Sequence, residues 1–116
     1  MQQNSKNRKQ PVKKKRSDEL NRIVAALDEN FDYFQKKYNI NELGIIGSYA
    51  RGEQTEDSDL DIMVDFHKPI GWEVVDLRDD LEKILGLHVD LILKAGIKQR
   101  KKLFDGISED IVYVKA

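Results

Sequence analysis

Apolar residues fall at Leu20, Ile23, Val24, Leu27, Phe31, Phe34 and Tyr38. Side chains three, four and seven positions apart share a side at 3.6 residues per turn, so this spacing predicts one long helix with a single buried face. Ser17 followed by Asp18 and Glu19 offers a cap and acids for its first turn, and Asn39 to Asn41 ends it. Leu43 to Ile46 then reads as a strand, broken by Gly47 and Ser48, with Ser48 capping a short helix that starts near Tyr49. A second strand spans about Leu60 to Phe66. After a loop from His67 to Gly71 that contains Pro69, a helix runs from about Trp72 to Leu85. Val74, Leu77, Leu81, Ile84 and Leu85 form its inward stripe and Gly86 stops it. His88 to Leu93 is a third strand, with Lys94 to Gly96 as its exit. Ile97 to Gly106 is a basic helix with Leu103 and Phe104 inward, and Ile111 to Val114 is a closing strand. This order predicts an α/β fold with a sheet of about four strands and helices on one side.

Composition adds limits. The chain has 116 residues, which suits one domain with a modest core. It has no cysteine, which excludes disulfides, thiolate catalysis and zinc-finger sites. No apolar run approaches membrane-spanning length, so a cytoplasmic protein without membrane contact is the expectation. The net charge of −1 hides an asymmetry: residues 1–16 carry seven basic and no acidic side chains, and the remaining 13 basic and 21 acidic residues give −8. Residues 1–16 are polar, basic and aperiodic, and are expected to form a disordered tail, with residues 17–116 as the folded domain. Any nucleic-acid affinity is expected in that tail. The sequence leaves self-association open.

The candidate chemistry lies between Leu43 and Phe66, in LGIIGSYARGEQTEDSDLDIMVDF. Asp59 and Asp61 stand at the start of the second strand, and residues two apart on a strand face the same way. Two carboxylates thus converge beside a glycine turn whose following helix start offers free N–H groups. Carboxylates hold Mg²⁺, and amides at a helix start hold phosphate. The pattern points to a site for a metal-bound nucleoside triphosphate, whose base it leaves open. Arg51, one turn along, could add a charged contact to the phosphates, or else pair with Glu53 or Asp57 at the surface. Asp90 is an acid within an otherwise apolar strand, where a carboxylate either meets a cation, since burying it alone is costly, or faces solvent on a half-exposed strand. Asp65 shares the parity of Asp59 and Asp61 and reads as structural or supporting, and Asp57 as a loop cap.

Gly47-Ser48, ten residues, then Asp59-Leu60-Asp61 resembles the signature of the polymerase-β-like nucleotidyltransferase superfamily. The stretch around it is most similar to the minimal nucleotidyltransferase (MNT) group, and the similarity runs from about Leu20 to the C-terminus. That resemblance implies a mixed sheet of about four strands with flanking helices and the site at one edge. It implies Asp59, Asp61 and Asp90 as the catalytic and metal-binding acids, since Val89-Asp90-Leu91 matches the context of the family's third acid. Gly47, Ser48 and Arg51 are the nucleotide-binding candidates, and the chemistry of nucleotidyl transfer calls for two Mg²⁺ ions as cofactor. The resemblance further implies transfer of AMP from ATP to a hydroxyl of a HEPN-type toxin, with the protein as antitoxin.

Rival motifs fail on the same letters. Gly47 to Gly52 has the glycine spacing of a Walker A loop, but Glu53-Gln54 replace Lys-Ser/Thr. Asp57, Asp59 and Asp61 start like an EF-hand loop, but Ile62 and Lys68 occupy its glycine and glutamate positions. Ser48 is not in a nucleophile elbow, and His67 and His88 lack metal-pair spacing. Larger nucleotidyltransferases carry a substrate domain, and a chain of this size has no room for one, which points to an acceptor supplied in trans. That also weakens a small-molecule nucleotidyltransferase reading. The alternative is a non-catalytic binding module that occludes a toxin and keeps a vestigial nucleotide site; the full acidic set favours the enzyme.

Overall fold

The computed structural model describes residues 18–68 and 71–114. The basic tail, the Ser17 cap and Pro69 of the loop lie outside these residues.

The first helical stretch is interrupted. It forms α1 (Asp18–Glu29) and α2 (Phe31–Tyr38), separated by Asn30. Asn30 sits at φ −103° and ψ 5°, and its side-chain amide donates to the Ala26 carbonyl at 2.8 Å. Asn commonly competes in this way for backbone groups, which makes it a weak helix-interior residue. The apolar stripe nevertheless continues across the break: Leu20, Ile23, Leu27, Phe31, Phe34 and Tyr38 are all buried. Asn39 ends α2 in the left-handed conformation at φ 57°, its N–H donating to the Gln35 carbonyl.

Strand β1 (Ile40–Ile46) begins three residues earlier than the sequence pattern suggests. The short helix α3 (Gly47–Arg51) leads through a loop to β2 (Leu60–Phe66), which pairs antiparallel with β1. Helix α4 (Glu73–Leu85) crosses over to β3 (Val89–Leu93), which lies parallel to β2. The predicted basic helix is two short ones, α5 (Lys94–Lys98) and α6 (Lys101–Ser108), and β4 (Val112–Tyr113) closes on β1. The mixed sheet has the order β3-β2-β1-β4.

Strand parity divides the sheet into two faces. Leu43 and Ile45 of β1, Leu60, Ile62 and Val64 of β2, and Val89 of β3 pack against α1, α2 and α4 in the main core. Ile46 and Met63 point the other way and pack with Ile97 of α5, flanked by Ile92, Phe104 and Ile107. Helices therefore cover both faces, where the sequence pattern predicted one. The second layer is thin because α6 buries no residue fully. Two expected core positions are also displaced: Ile84 and Leu103 are 39% and 42% exposed. The main core carries most of the stability. Phe34 is completely buried, and truncating such a ring to alanine costs about 3–5 kcal/mol, a large share of a domain's total stability. Among the described residues, no helix is long and apolar enough to cross a membrane.

Candidate active site

The acids stand on the thinly covered face. Ile46 at the end of β1 pairs with Asp61 of β2, and Asp61 pairs in turn with Asp90 of β3. Register partners on adjacent strands project to the same side, so Asp61 and Asp90 stand next to each other with Met63 and Ile92 further along that face. Asp90 is exposed on β3, an edge strand of the sheet. Its position follows from pairing with Asp61, rather than from burial in an apolar strand.

Gly47 is what lets β1 turn away from this pair. It adopts φ 75°, and a Cβ built on it would lie 2.5 Å from Asp61 Oδ2. The Asp61 carboxylate thus occupies the space that any larger residue at 47 would need. Helix α3 begins at Gly47 itself, with Ile46 as the flanking residue and no side-chain cap. Ser48 therefore lies within the first turn and is not the cap that its sequence position suggested. The first N–H groups of a helix have no partner inside it, and those of Gly47, Ser48 and Tyr49 belong to that turn. Tyr49 anchors α3 from below as a buried residue of the main core.

Asp59 is exposed at the end of the loop before β2. That loop is held by Thr55 and Ser58: Ser58 Oγ accepts from the Thr55 N–H at 2.9 Å, and Thr55 Oγ1 accepts from the Asp57 N–H at 3.3 Å. These hydroxyls close the turn in place of an Asp57 carboxylate cap. The Gln54 side chain ties the same loop to Glu19 in the first turn of α1. The Leu60 N–H donates to the His88 carbonyl at 2.9 Å, fixing the start of β2 against that of β3.

The carboxylates sense one another. Burial pushes the Asp61 carboxyl above its ordinary value, and the charges of Asp90 and then Asp59 push it further, while Arg51 acts in the opposite direction. Among the described residues, no three His, Cys, Asp or Glu side chains are gathered closely enough to hold one metal ion. The sheet brings Asp61 and Asp90 side by side with Asp59 within electrostatic range, and it does not draw the three into a finished cluster. As a donor set, three carboxylates on which like charge accumulates suit a hard divalent cation.

Arg51 lies in the cleft with Gly47 and Asp61, and its Nε donates to Glu53 Oε1 at 3.0 Å. Of the two surface partners expected for Arg51, it is Glu53 that pairs with it. Asp65, at the far end of β2, accepts from the Asn41 side-chain amide at 2.8 Å, a structural contact away from the Gly47 turn. The cleft has a volume of about 360 Å³, and its opposite wall is α6, through Lys102, Leu103, Gly106 and Ile107, with Asp110 beyond. This wall leaves no local sign in the sequence, because its residues enter the site only through the packing of α6 on Met63 and Ile97.

Comparison with known proteins bears on the family and the fold. A family model described as "Nucleotidyltransferase domain" matches residues 27–114. A Methanocaldococcus jannaschii protein provisionally described as a protein adenylyltransferase is 44% identical over 98 residues, covering 82% of this chain and 97% of its own length. The protein adenylyltransferase MntA of Thermococcus cleftensis is 36% identical over 96 residues, covering 82% of this chain and 95% of that protein. Among solved structures, one provisionally described as a minimal nucleotidyltransferase superposes with a TM-score of 0.67 at 28% identity, covering 80% of this chain and 93% of that one.

Proposed function

The chain belongs to the nucleotidyltransferase domain family, within its minimal nucleotidyltransferase group, and from that premise we propose that it transfers AMP from ATP to a side-chain hydroxyl of a partner protein, with Mg²⁺ as cofactor. That it is a nucleotidyltransferase follows from the family match and its adenylyltransferase relatives. The pairing of Asp61 with Asp90 beside the Gly47 turn carries the finer reading.

In the reaction, an acceptor hydroxyl oxygen forms a bond to the α-phosphorus as the bond to pyrophosphate breaks. Asp90, exposed at the sheet edge, is positioned for a macromolecular acceptor to reach, and it takes the hydroxyl proton. The N–H groups of Gly47 and Ser48 and the Ser48 hydroxyl hold the β- and γ-phosphates that leave. Arg51 contributes a positive charge to the same group once it exchanges Glu53 for phosphate. Asp59, Asp61 and Asp90 would hold Mg²⁺, which when bound offsets charge on the triphosphate. The raised Asp61 carboxyl supports this assignment, since a cation there relieves the repulsion among the acids.

The acceptor we infer is a HEPN-type toxin, which AMP transfer would silence, making this protein the antitoxin of a pair. The likeness to MntA, a protein adenylyltransferase, along 95% of that protein's length supports a protein as the acceptor. Incubation with a HEPN-type neighbour, ATP and Mg²⁺ is expected to add one or more AMP masses to the neighbour, read by intact-mass spectrometry. An unchanged mass, with toxin neutralisation that survives Asp59→Asn plus Asp61→Asn, would overturn the enzyme reading in favour of simple occlusion.

A further inference from the structure

We propose that α6 is the second wall of the nucleotide site, with Lys102 as a contact to the triphosphate and Leu103 with Ile107 as an apolar surface for the base. This rests on the ATP-dependent reading above and extends it to residues outside the Gly47–Asp61 signature.

The cleft between the acidic sheet face and α6 is about 360 Å³, within the range of small-ligand sites. Lys102, Leu103, Gly106 and Ile107 are spaced 1, 4 and 5 residues from the first, which places them on one side of a helix, and all four line the cleft. Leu103 is 42% exposed and α6 buries no residue fully. An amphipathic helix normally covers its apolar side, so this one leaves apolar surface available inside a cleft that also holds Gly47 and Asp61.

Charge assigns Lys102 its role. The charged residues lining the cleft are Arg51, Lys102, Asp61 and Asp110, which balance. Without Lys102 the lining would be net negative and would repel a triphosphate. Arg51 is already engaged with Glu53, whereas Lys102 has no ion-pair partner among the described residues. Its neighbour Lys101 is different: its side chain is 88% exposed, stands 4.0 Å from Asp105 and does not line the cleft. Gly106 completes the wall, since a Cβ built there would meet nothing within 4 Å. That open space belongs to the ligand in this assignment.

Calorimetric titration with the α,β-methylene analogue of ATP, which cannot transfer AMP, tests the wall in the presence of Mg²⁺, with adenosine as a second probe. Lys102→Met is expected to lower affinity for the analogue about tenfold or more, the effect of losing a charged hydrogen bond, while leaving adenosine affinity unchanged. Lys102→Arg should restore binding, and Lys101→Met should match the wild type. Gly106→Leu starts from a Cβ that meets nothing within 4 Å and improves helix propensity, so it should weaken both probes while the protein remains folded by circular dichroism. Analogue binding by Lys102→Met and Gly106→Leu at wild-type affinity would overturn the α6 assignment and leave the ATP reading intact. A wild-type protein that binds no analogue would overturn both.

Discussion

Asp61 and Asp90 are direct register partners across the parallel β2–β3 pair, so their carboxylates share one face at the open edge of the sheet. Folding holds like charges together there, and burial, Asp90 and Asp59 all raise the Asp61 carboxyl. An acid whose folded-state value is raised disfavours the native state once pH is above that value. Asp61→Asn removes the penalty. In EDTA at neutral pH, its melting temperature is expected to equal or exceed that of the wild type. AMP transfer should fall by about 100-fold or more, as when a preorganised electrostatic group is lost. A large drop in melting temperature would show that Asp61 supports the fold rather than the chemistry.

Two left-handed glycines separate backbone strain from site geometry. Gly47 at φ 75° and Gly52 at φ 74° are equivalent in conformation. A Cβ at 47 would meet Asp61 Oδ2 at 2.5 Å, and one at 52 meets nothing within 4 Å. Each alanine variant should lose about 1–2 kcal/mol from the left-handed conformation, measured by urea unfolding. Gly47→Ala alone should also lose transfer activity, because it displaces the Asp61 carboxylate. Equal activity in the two variants would remove the Gly47–Asp61 contact from the mechanism.

The site signature was legible because each part of it is local. A glycine turn after an apolar strand and strand parity at Asp61 depend on neighbours in sequence, and both appear where the pattern placed them. The same locality misled at Ser48: the letters mark a cap, but Gly47 already turns the chain, so the helix starts two residues sooner. Asn30 escaped notice because the apolar stripe runs through the break without changing phase. The second helical layer was hidden for another reason. The division between α5 and α6 and the exposure of Leu103 depend on tertiary packing against Met63, which helical periodicity does not encode.

The Tyr38–Asp80 contact joins α2 to α4 beneath the main core. The Tyr38 hydroxyl donates to Asp80 Oδ2 at 2.5 Å, and Lys37 approaches the same oxygen at 3.1 Å. Burial first, and then Asp80, push the Tyr38 hydroxyl from 10.0 up to about 12. Because its folded-state value is raised, this stabilisation is complete below pH 10.0 and is lost as pH rises to about 12. Asp80 is shifted downward, chiefly by Tyr38, so its part is present above the ordinary carboxylate value and lost in stronger acid. Tyr38→Phe should cost about 1.5 kcal/mol or more at neutral pH, as for a hydrogen bond to a charged group. The difference from wild type should shrink at both extremes in urea unfolding across pH. A difference that stays constant with pH would show that only packing was changed.

Cation and nucleotide should stabilise the protein through the same acids. A ligand that binds only the folded state adds RT ln(1 + [L]/Kd), which is about 2.7 kcal/mol at a concentration 100-fold above Kd. For a domain of this size that corresponds to a rise in melting temperature on the order of 10 °C or more. Mg²⁺ with ATP should produce such a rise in the wild type, and EDTA should remove most of it, because the triphosphate otherwise faces Asp59, Asp61 and Asp90 directly. Asp90→Asn retains the Gly47 turn and Arg51, and it removes one charge from the acidic set. It should therefore respond less to Mg²⁺ with ATP and more to ATP in EDTA than the wild type does. This reversal separates a cation site from a simple phosphate site. If Asp90→Asn instead gave the wild-type response in both conditions, Asp90 would lie outside the cation site, and its pairing with Asp61 would be a feature of the sheet alone.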